Sequence, residues 1–295
     1  MKYSKWLDKH IQDLKNNTIV VTGANSGLGF ECCRALLYKK ANIIMACRNL
    51  EKANIAKDIL INEFHKSNIE VYQLDIYIFI SIHNFVNNIN LNNIDVLINN
   101  AGIYHQNKDS KTKDNIELTI GTNYFGMFYL NKLIEEKIKD KKIKIINVTS
   151  LTAKYSKLDL NDLGLEKVNN RNSLYAKSKL AISSYTFAKQ QENTNIKYYL
   201  THPGISATNI LNNFPKWFKI LGNAFMKIVF HSPEKACLSL LAPLSNLEGN
   251  NFGPRVLQIN GYPKKIKYSK KIRKLSKDII EKSNHYLQSI NSNFN

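Results

Sequence analysis

The chain of 295 residues is poor in the residues that punctuate or cross-link proteins, with 6 prolines, 12 glycines and 4 cysteines. Sparse Pro and Gly leave no linker at which to cut it, and no internal repeat is visible, so one domain over 1–295 is expected. Cys32, Cys33, Cys47 and Cys237 have no metal-ligand spacing. An adjacent pair on one helix makes a poor disulfide, so reduced, buried thiols in a cytosol-like compartment are expected. The 7 histidines are scattered without a ligand partner, and no metal is expected. No run approaches the 18 or so apolar residues of a membrane span. Residues 1–15 carry Lys5, Asp8, Lys9 and Asp13 where a signal peptide needs an apolar core, and 217–230 is broken by Lys219 and Lys227. A cytoplasmic protein is expected, with a peripheral contact to an organelle membrane left open.

Acidic side chains are also scarce, 23 against 42 Lys and Arg, for a formal charge of +19. The lysines are spread through a chain equally rich in Asn and Ile, without the interleaved aromatics of a single-strand binding platform. They read as solvated surface, and no nucleic-acid partner is expected. The run 264–277 is the best candidate for contact with an anionic surface.

What the chain does contain is organised around Tyr175-Ala176-Lys177-Ser178-Lys179. On the helix expected over 173–190, Tyr175 and Lys179 share a face. A phenol titrates near ~10, so acid–base work near neutrality needs a shift of about three units, or roughly 4 kcal/mol. An ammonium about 5 Å away in an effective dielectric of about 20 supplies roughly 3 kcal/mol. The spacing alone is not specific, since it recurs at Tyr104/Lys108 and Tyr185/Lys189.

The β-branched run 18–22 ends in Thr22-Gly23-Ala24-Asn25-Ser26-Gly27-Leu28-Gly29, and a helical stretch follows over 30–38. Strand, glycine turn and helix suit a pyrophosphate approached by backbone and by a helix N-terminus. After the second strand, 42–47, a cofactor lacking the 2′-phosphate meets a carboxylate; this chain has Arg48, which points to NADP(H) rather than NAD(H). Helix 50–64, strand 69–74 closed by Asp75, and strand 94–98 ending in Asn99-Asn100-Ala101-Gly102 come next. A helix is expected over 113–139, carrying Asn123 among Tyr124, Phe125, Met127 and Phe128. Strand 143–148 ends in Thr149-Ser150, where open α/β sheets bind ligands, and strand 196–201 ends in His202-Pro203-Gly204. Six alternations predict an α/β, doubly wound Rossmann sheet of about seven parallel strands, the seventh near 256–259.

Taken together, Thr22-Gly23-x-x-x-Gly27-x-Gly29, Asn99-Asn100-Ala101-Gly102, Asn123, Ser150, Tyr175-x-x-x-Lys179 and Pro203-Gly204 resemble the short-chain dehydrogenase/reductase family. Ala46-Cys47-Arg48-Asn49 with Glu51-Lys52, Asp159-Leu160-Asn161 between Ser150 and Tyr175, Ser232-Pro233-Glu234 and a closing helix at 272–286 resemble its retinol-dehydrogenase-like branch. Nearly the whole chain is covered. The resemblance implies an NADP(H)-dependent alcohol dehydrogenase or carbonyl reductase acting on retinoid-, steroid- or lipid-aldehyde-like substrates. It makes Tyr175 the general acid/base, Lys179 its pKa-lowering neighbour and ribose ligand, Ser150 the holder of the substrate oxygen, and Asn123 the support of a water-linked proton path. It places Gly23, Ser26, Gly27, Leu28 and Gly29 along the pyrophosphate, and Asp75 at the adenine. Asn99 and Ala101 fall beside the adenosine ribose, and Ile205 and Thr208 at the nicotinamide amide and phosphate. Tyr124 stands where the family often has histidine. A homodimer through the helices of Asn123 and Tyr175 is implied by analogy.

Residues 1–16 read as an N-terminal extension, 209–230 as a substrate lid rich in Trp and Phe, and 264–295 as a basic C-terminal helix. A non-catalytic NADP(H)-binding sensor or scaffold is the alternative; its expected mark is loss of Tyr175, Lys179 or Ser150, and none is lost.

Overall fold

The run Thr18-Ile19-Val20-Val21-Thr22 is β-branched throughout, and it forms the central strand β1 (Thr18–Thr22) of the computed structural model. Its side chains alternate between two apolar layers, Ile19 and Val21 to one and Val20 to the other. Burial on both faces is what a parallel sheet flanked by helices requires. The structure describes residues 3–104, 110–138, 140–168, 170–192, 194–204, 232–254 and 262–292.

The strands are β1, β2 (Asn42–Cys47), β3 (Ile69–Gln73), β4 (Ile94–Asn99), β5 (Ile143–Val148), β6 (Ile196–Thr201), β7 (Asn251–Pro254) and β8 (Pro263–Lys265). They form one sheet in the order β3-β2-β1-β4-β5-β6-β7-β8. All neighbours are parallel except β7 and β8. The order reverses between β1 and β4, which opens a crevice above their carboxyl ends. Register aligns those ends: Thr22 pairs with Ala46, Asn99 with Asn147 and Val148 with Thr201.

One face is covered by α1 (Ser4–His10), α2 (Gly27–Tyr38), α3 (Leu50–Glu63) and α8 (Pro233–Leu241). Residues 1–16, read as an extension, thus contribute Trp6, Leu7, Ile11 and Leu14 to the core. The other face carries α4 (Phe79–Asn88), the short α5 (Leu118–Ile120), α6 (Met127–Lys137), α7 (Arg171–Lys189) and α10 (Ile279–Ser292), with α9 (Lys270–Leu275) on a satellite cluster around Ala153 and Leu180. No helix among the described residues is long and apolar enough to cross a membrane.

Three departures from the sequence pattern have local causes. The helix expected from 113 starts at Leu118, because Asn115 turns left-handed (φ 60) and the Glu117 carboxylate caps the N–H groups of Thr119 and Ile120. Between α5 and α6 the chain widens into a π-helical stretch, Gly121–Gly126, that contains Asn123. The closing segment is not one helix: β8 takes its start, and the Ser276 hydroxyl donates back to the Arg273 carbonyl where α9 ends before α10 begins. Residues 256–259 lie outside the described residues, and β7 runs at Asn251–Pro254. α10 is fixed to the π stretch by Tyr124, whose hydroxyl donates to Ser283 (2.6 Å), and by Phe125 stacked on Tyr286 (4.7 Å). The chain thus covers part of its own α6/α7 face.

Candidate active site

A cleft of about 390 Å³ sits on the crevice at the strand ends. Its floor is the glycine turn. Gly23 (φ 65) and Gly27 (φ 56) are left-handed, a conformation cheap only for glycine. Gly29 is set by space: a Cβ there would lie 2.4 Å from the Gly23 carbonyl oxygen and 2.6 Å from Asn100 Nδ2. The turn is tied to the end of β4 from below. Thr22 Oγ1 accepts from the N–H groups of Asn100 (3.0 Å) and Ala101 (2.9 Å), and Asn100 Nδ2 donates to the Thr22 carbonyl (2.9 Å). Ser26 precedes α2, whose first N–H groups open on the same cleft.

Gly23, Ser26, Gly27, Leu28, Arg48, Asp75, Ala101, Tyr175 and Lys179 all line it, together with Asn25, Tyr77, Asn100 and Pro203. Arg48 is exposed at the rim with its guanidinium over the Tyr77 ring (5.7 Å). Asp75 is buried, and desolvation raises its pKa while Arg48 and Tyr77 pull it back. No carboxylate stands directly after β2, where Arg48-Asn49 leads into α3.

The catalytic end brings three elements together. Tyr175, in the second turn of α7, lies beside Ser150 just beyond the end of β5, whose hydroxyl accepts from the Thr152 N–H (3.3 Å) and from Thr152 Oγ1 (3.1 Å). Lys179 lies one turn on, 5% exposed, with Nζ 5.7 Å from the Tyr175 ring centre and donating to the Val148 carbonyl (3.0 Å). Burial pushes the Tyr175 phenol up to about 12, with Ser150 pulling it down and neighbouring Tyr104 adding to the rise. The same burial pushes Lys179 down to about 8. The sequence argument set a cation against the phenol; within the protein alone, desolvation outweighs it.

Asn123 is 1% exposed and its side chain is fully engaged. Oδ1 accepts from Ile103 N–H (2.7 Å), and Nδ2 donates to the Ile103 carbonyl (2.9 Å) and to Ser178 Oγ (3.0 Å). It clamps the segment after Gly102, where a Cβ would meet Asn123 Oδ1 at 3.0 Å, to the helix of Tyr175. Asn99 is not on the cleft surface; it is buried, donating to Asn131 (2.9 Å) and Asn147 (2.8 Å). Ile205, Thr208 and residues 209–230 lie outside the described residues.

Sequence reasoning assigned no role to Asn100, Thr22, Tyr77 or Tyr104. Tyr104 packs edge-on against Tyr175 (ring centres 5.4 Å) and hydrogen-bonds Asn172. Its only sequence signal was a repeated Tyr-x-x-x-Lys spacing with Lys108, which lies outside the described residues.

The cleft therefore has a glycine-rich backbone cradle, a helix N-terminus, a rim guanidinium, and a half-buried phenol and hydroxyl beside a buried ammonium. These donors fit a dinucleotide with its pyrophosphate at the glycines. Comparison with known proteins agrees with that chemistry. The family described as short chain dehydrogenase matches residues 17–219. Retinol dehydrogenase 11 of Homo sapiens is 31% identical over 247 residues, spanning 81% of this chain and 77% of the relative. Retinol dehydrogenase 14 of Homo sapiens is 33% identical over 258 residues, spanning 80% and 76%. A crystal structure of an uncharacterized protein from Mycobacterium paratuberculosis superposes with TM-score 0.75 at 26% identity, covering 94% of this chain and 96% of that one.

Proposed function

The chain belongs to the short-chain dehydrogenase family, in its retinol-dehydrogenase-like branch, and from that premise we propose that it is an NADP(H)-dependent reductase of a lipophilic carbonyl, or dehydrogenase of the matching alcohol. That it is an oxidoreductase with a nicotinamide cofactor follows from the family; the 2′-phosphate, the substrate and the roles of single residues are our reading.

The observation that carries it is the meeting of Tyr175, Ser150 and Lys179 beside the glycine cradle. When bound, the nicotinamide supplies or takes up the hydride. Ser150 and the Tyr175 hydroxyl hold the carbonyl oxygen. In reduction the phenol gives its proton to that oxygen, and the phenolate left behind faces Lys179, which at neutral pH is still mostly ammonium. A phenol near 12 rests protonated, the form that reduction consumes. Oxidation needs a further positive charge near the phenol. Asn123 acts by holding Ile103 and α7 in place.

Arg48 selects the nucleotide. A 2′-phosphate of about two negative charges meets a guanidinium already oriented by Tyr77, and no carboxylate directly after β2 opposes it. The retinol named for the two human relatives suggests a long apolar substrate. Fluorescence titration tests the cofactor reading: NADPH binds tighter than NADH in the wild type, and Arg48→Asp reverses the order. Equal binding in the wild type would remove Arg48 from that role.

A further inference from the structure

Four lysines that form no ion pair among the described residues converge on one groove, far from any need of the reaction. The groove, about 720 Å³, lies between α1 and the β7–β8 hairpin and shares no lining residue with the cofactor cleft. Lys5 and Lys9, one turn apart on α1, line it from one side, and Lys264 and Lys265 of β8 from the other, with Glu248 the single carboxylate. Elsewhere α1 is neutralised: Asp8 faces away, accepting from Tyr38 (2.9 Å) and Lys39 (3.4 Å). So the acid of α1 is spent on α2, while its lysines oppose two more across a gap. Four lysines against one carboxylate leave the lining of this concave surface with a positive excess that attracts an anion.

The rest of the groove is built and not merely charged. Trp6 is 7% exposed and tilted on His10 (4.9 Å); His10 Nδ1 is fixed to Asn246 Oδ1 (2.9 Å). The Lys265 stem lies over Gly249, where a Cβ would come within 3.2 Å of its Cγ. Tyr262 closes the rim, 41% exposed. A concave volume of this size suits a discrete small ligand better than a flat bilayer.

We infer that this groove is a second anion site, taking a soluble ligand that bears two or more phosphate groups. Lys5, Lys9, Lys264 and Lys265 supply point charges to the phosphate oxygens, and Tyr262 offers a ring to whatever organic part the ligand carries.

The probe is pyrophosphate, titrated calorimetrically into full-length protein saturated with NADPH, so that the cofactor cleft is closed to it. One saturable event is expected. The double variant K5E/K264E should weaken it at least tenfold, about what losing two favourable charge contacts implies. Lys277→Glu, an exposed charge outside the groove, should leave it within twofold. Should the double variant fold poorly, the wild type suffices: pyrophosphate should slow acetylation of Lys5, Lys9, Lys264 and Lys265 but not of Lys277. No saturable binding, or equal losses in K5E/K264E and Lys277→Glu, overturns the inference in favour of a diffuse surface field. Groove-dependent sedimentation with phosphatidylserine vesicles, without pyrophosphate binding, overturns it in favour of a membrane contact.

Discussion

Replacing Asn123 with alanine removes three hydrogen bonds at once, two to Ile103 and one to Ser178, and leaves the Ile103 N–H and carbonyl without those partners. At a net value of about 1 kcal/mol per bond, with some excess for stranded groups, the loss is about 3–4 kcal/mol. For a chain of this size that lowers Tm by roughly 5–7 °C. The freed segment includes Gly102 and Ile103 on the cleft wall, so NADPH affinity should fall together with stability. Differential scanning fluorimetry and NADPH titration measure both. Ser178→Ala, which removes one of the three bonds and the Ser178 bond to the Tyr175 carbonyl (2.8 Å), should cost about half as much. If Asn123→Ala melts within about 2 °C of wild type while turnover collapses, the side chain acts on the chemistry and the clamp reading is wrong.

Gly29→Ala places a methyl 2.4 Å from a backbone oxygen and should open the turn, at about 1–3 kcal/mol of overpacking and at least a tenfold loss of NADPH affinity by titration. Unchanged affinity would show that the turn does not contact the cofactor. Lys179 is depressed to about 8 from 10.5, so the folded state binds fewer protons in that window; its burial cost, about 3 kcal/mol, is present in full below pH 8 and relieved as pH rises toward 10.5. Lys179→Met should therefore melt higher than wild type at pH 7, the gap narrowing toward pH 10.5, while turnover falls by about a hundredfold or more. A variant that melts lower at pH 7, or by a pH-independent amount, contradicts the assignment.

Much of the sheet was legible because its strands are buried on both sides. β1 and β2 are nearly continuous β-branched or apolar runs, β5 is interrupted only by Lys144 and Asn147 and β6 by Lys197, and their ends coincide with the sequence pattern. α4 is short, and its buried Ile82, Phe85 and Val86 alternate with exposed Asn84, Asn87 and Asn88, residues of low helix propensity that leave only a brief periodic signal. The late start of α5 depends on one left-handed residue, Asn115, and the split of α9 from α10 on a side-chain bond, neither of which leaves a periodic trace.

In the site, the motifs located the cleft but not the division of labour within it. Asn99 and Asn100 are adjacent and identical in type, yet strand alternation sends Asn99 into a buried amide cluster and Asn100 to the glycine turn. Spacing gives the distance from Tyr175 to a cation but not the desolvation of both groups, which raises the phenol and lowers the ammonium. Tyr77 reaches the cleft, and Tyr104 the Tyr175 ring, through loops whose course sequence does not dictate.

The most direct test of the central claim follows NADPH absorbance as the protein meets a long apolar aldehyde such as retinal, in wild type and Tyr175→Phe. NADPH consumption by the wild type, lost in the variant while NADPH binding is retained, is the predicted result. Equal consumption by both would contradict a proton passed by Tyr175.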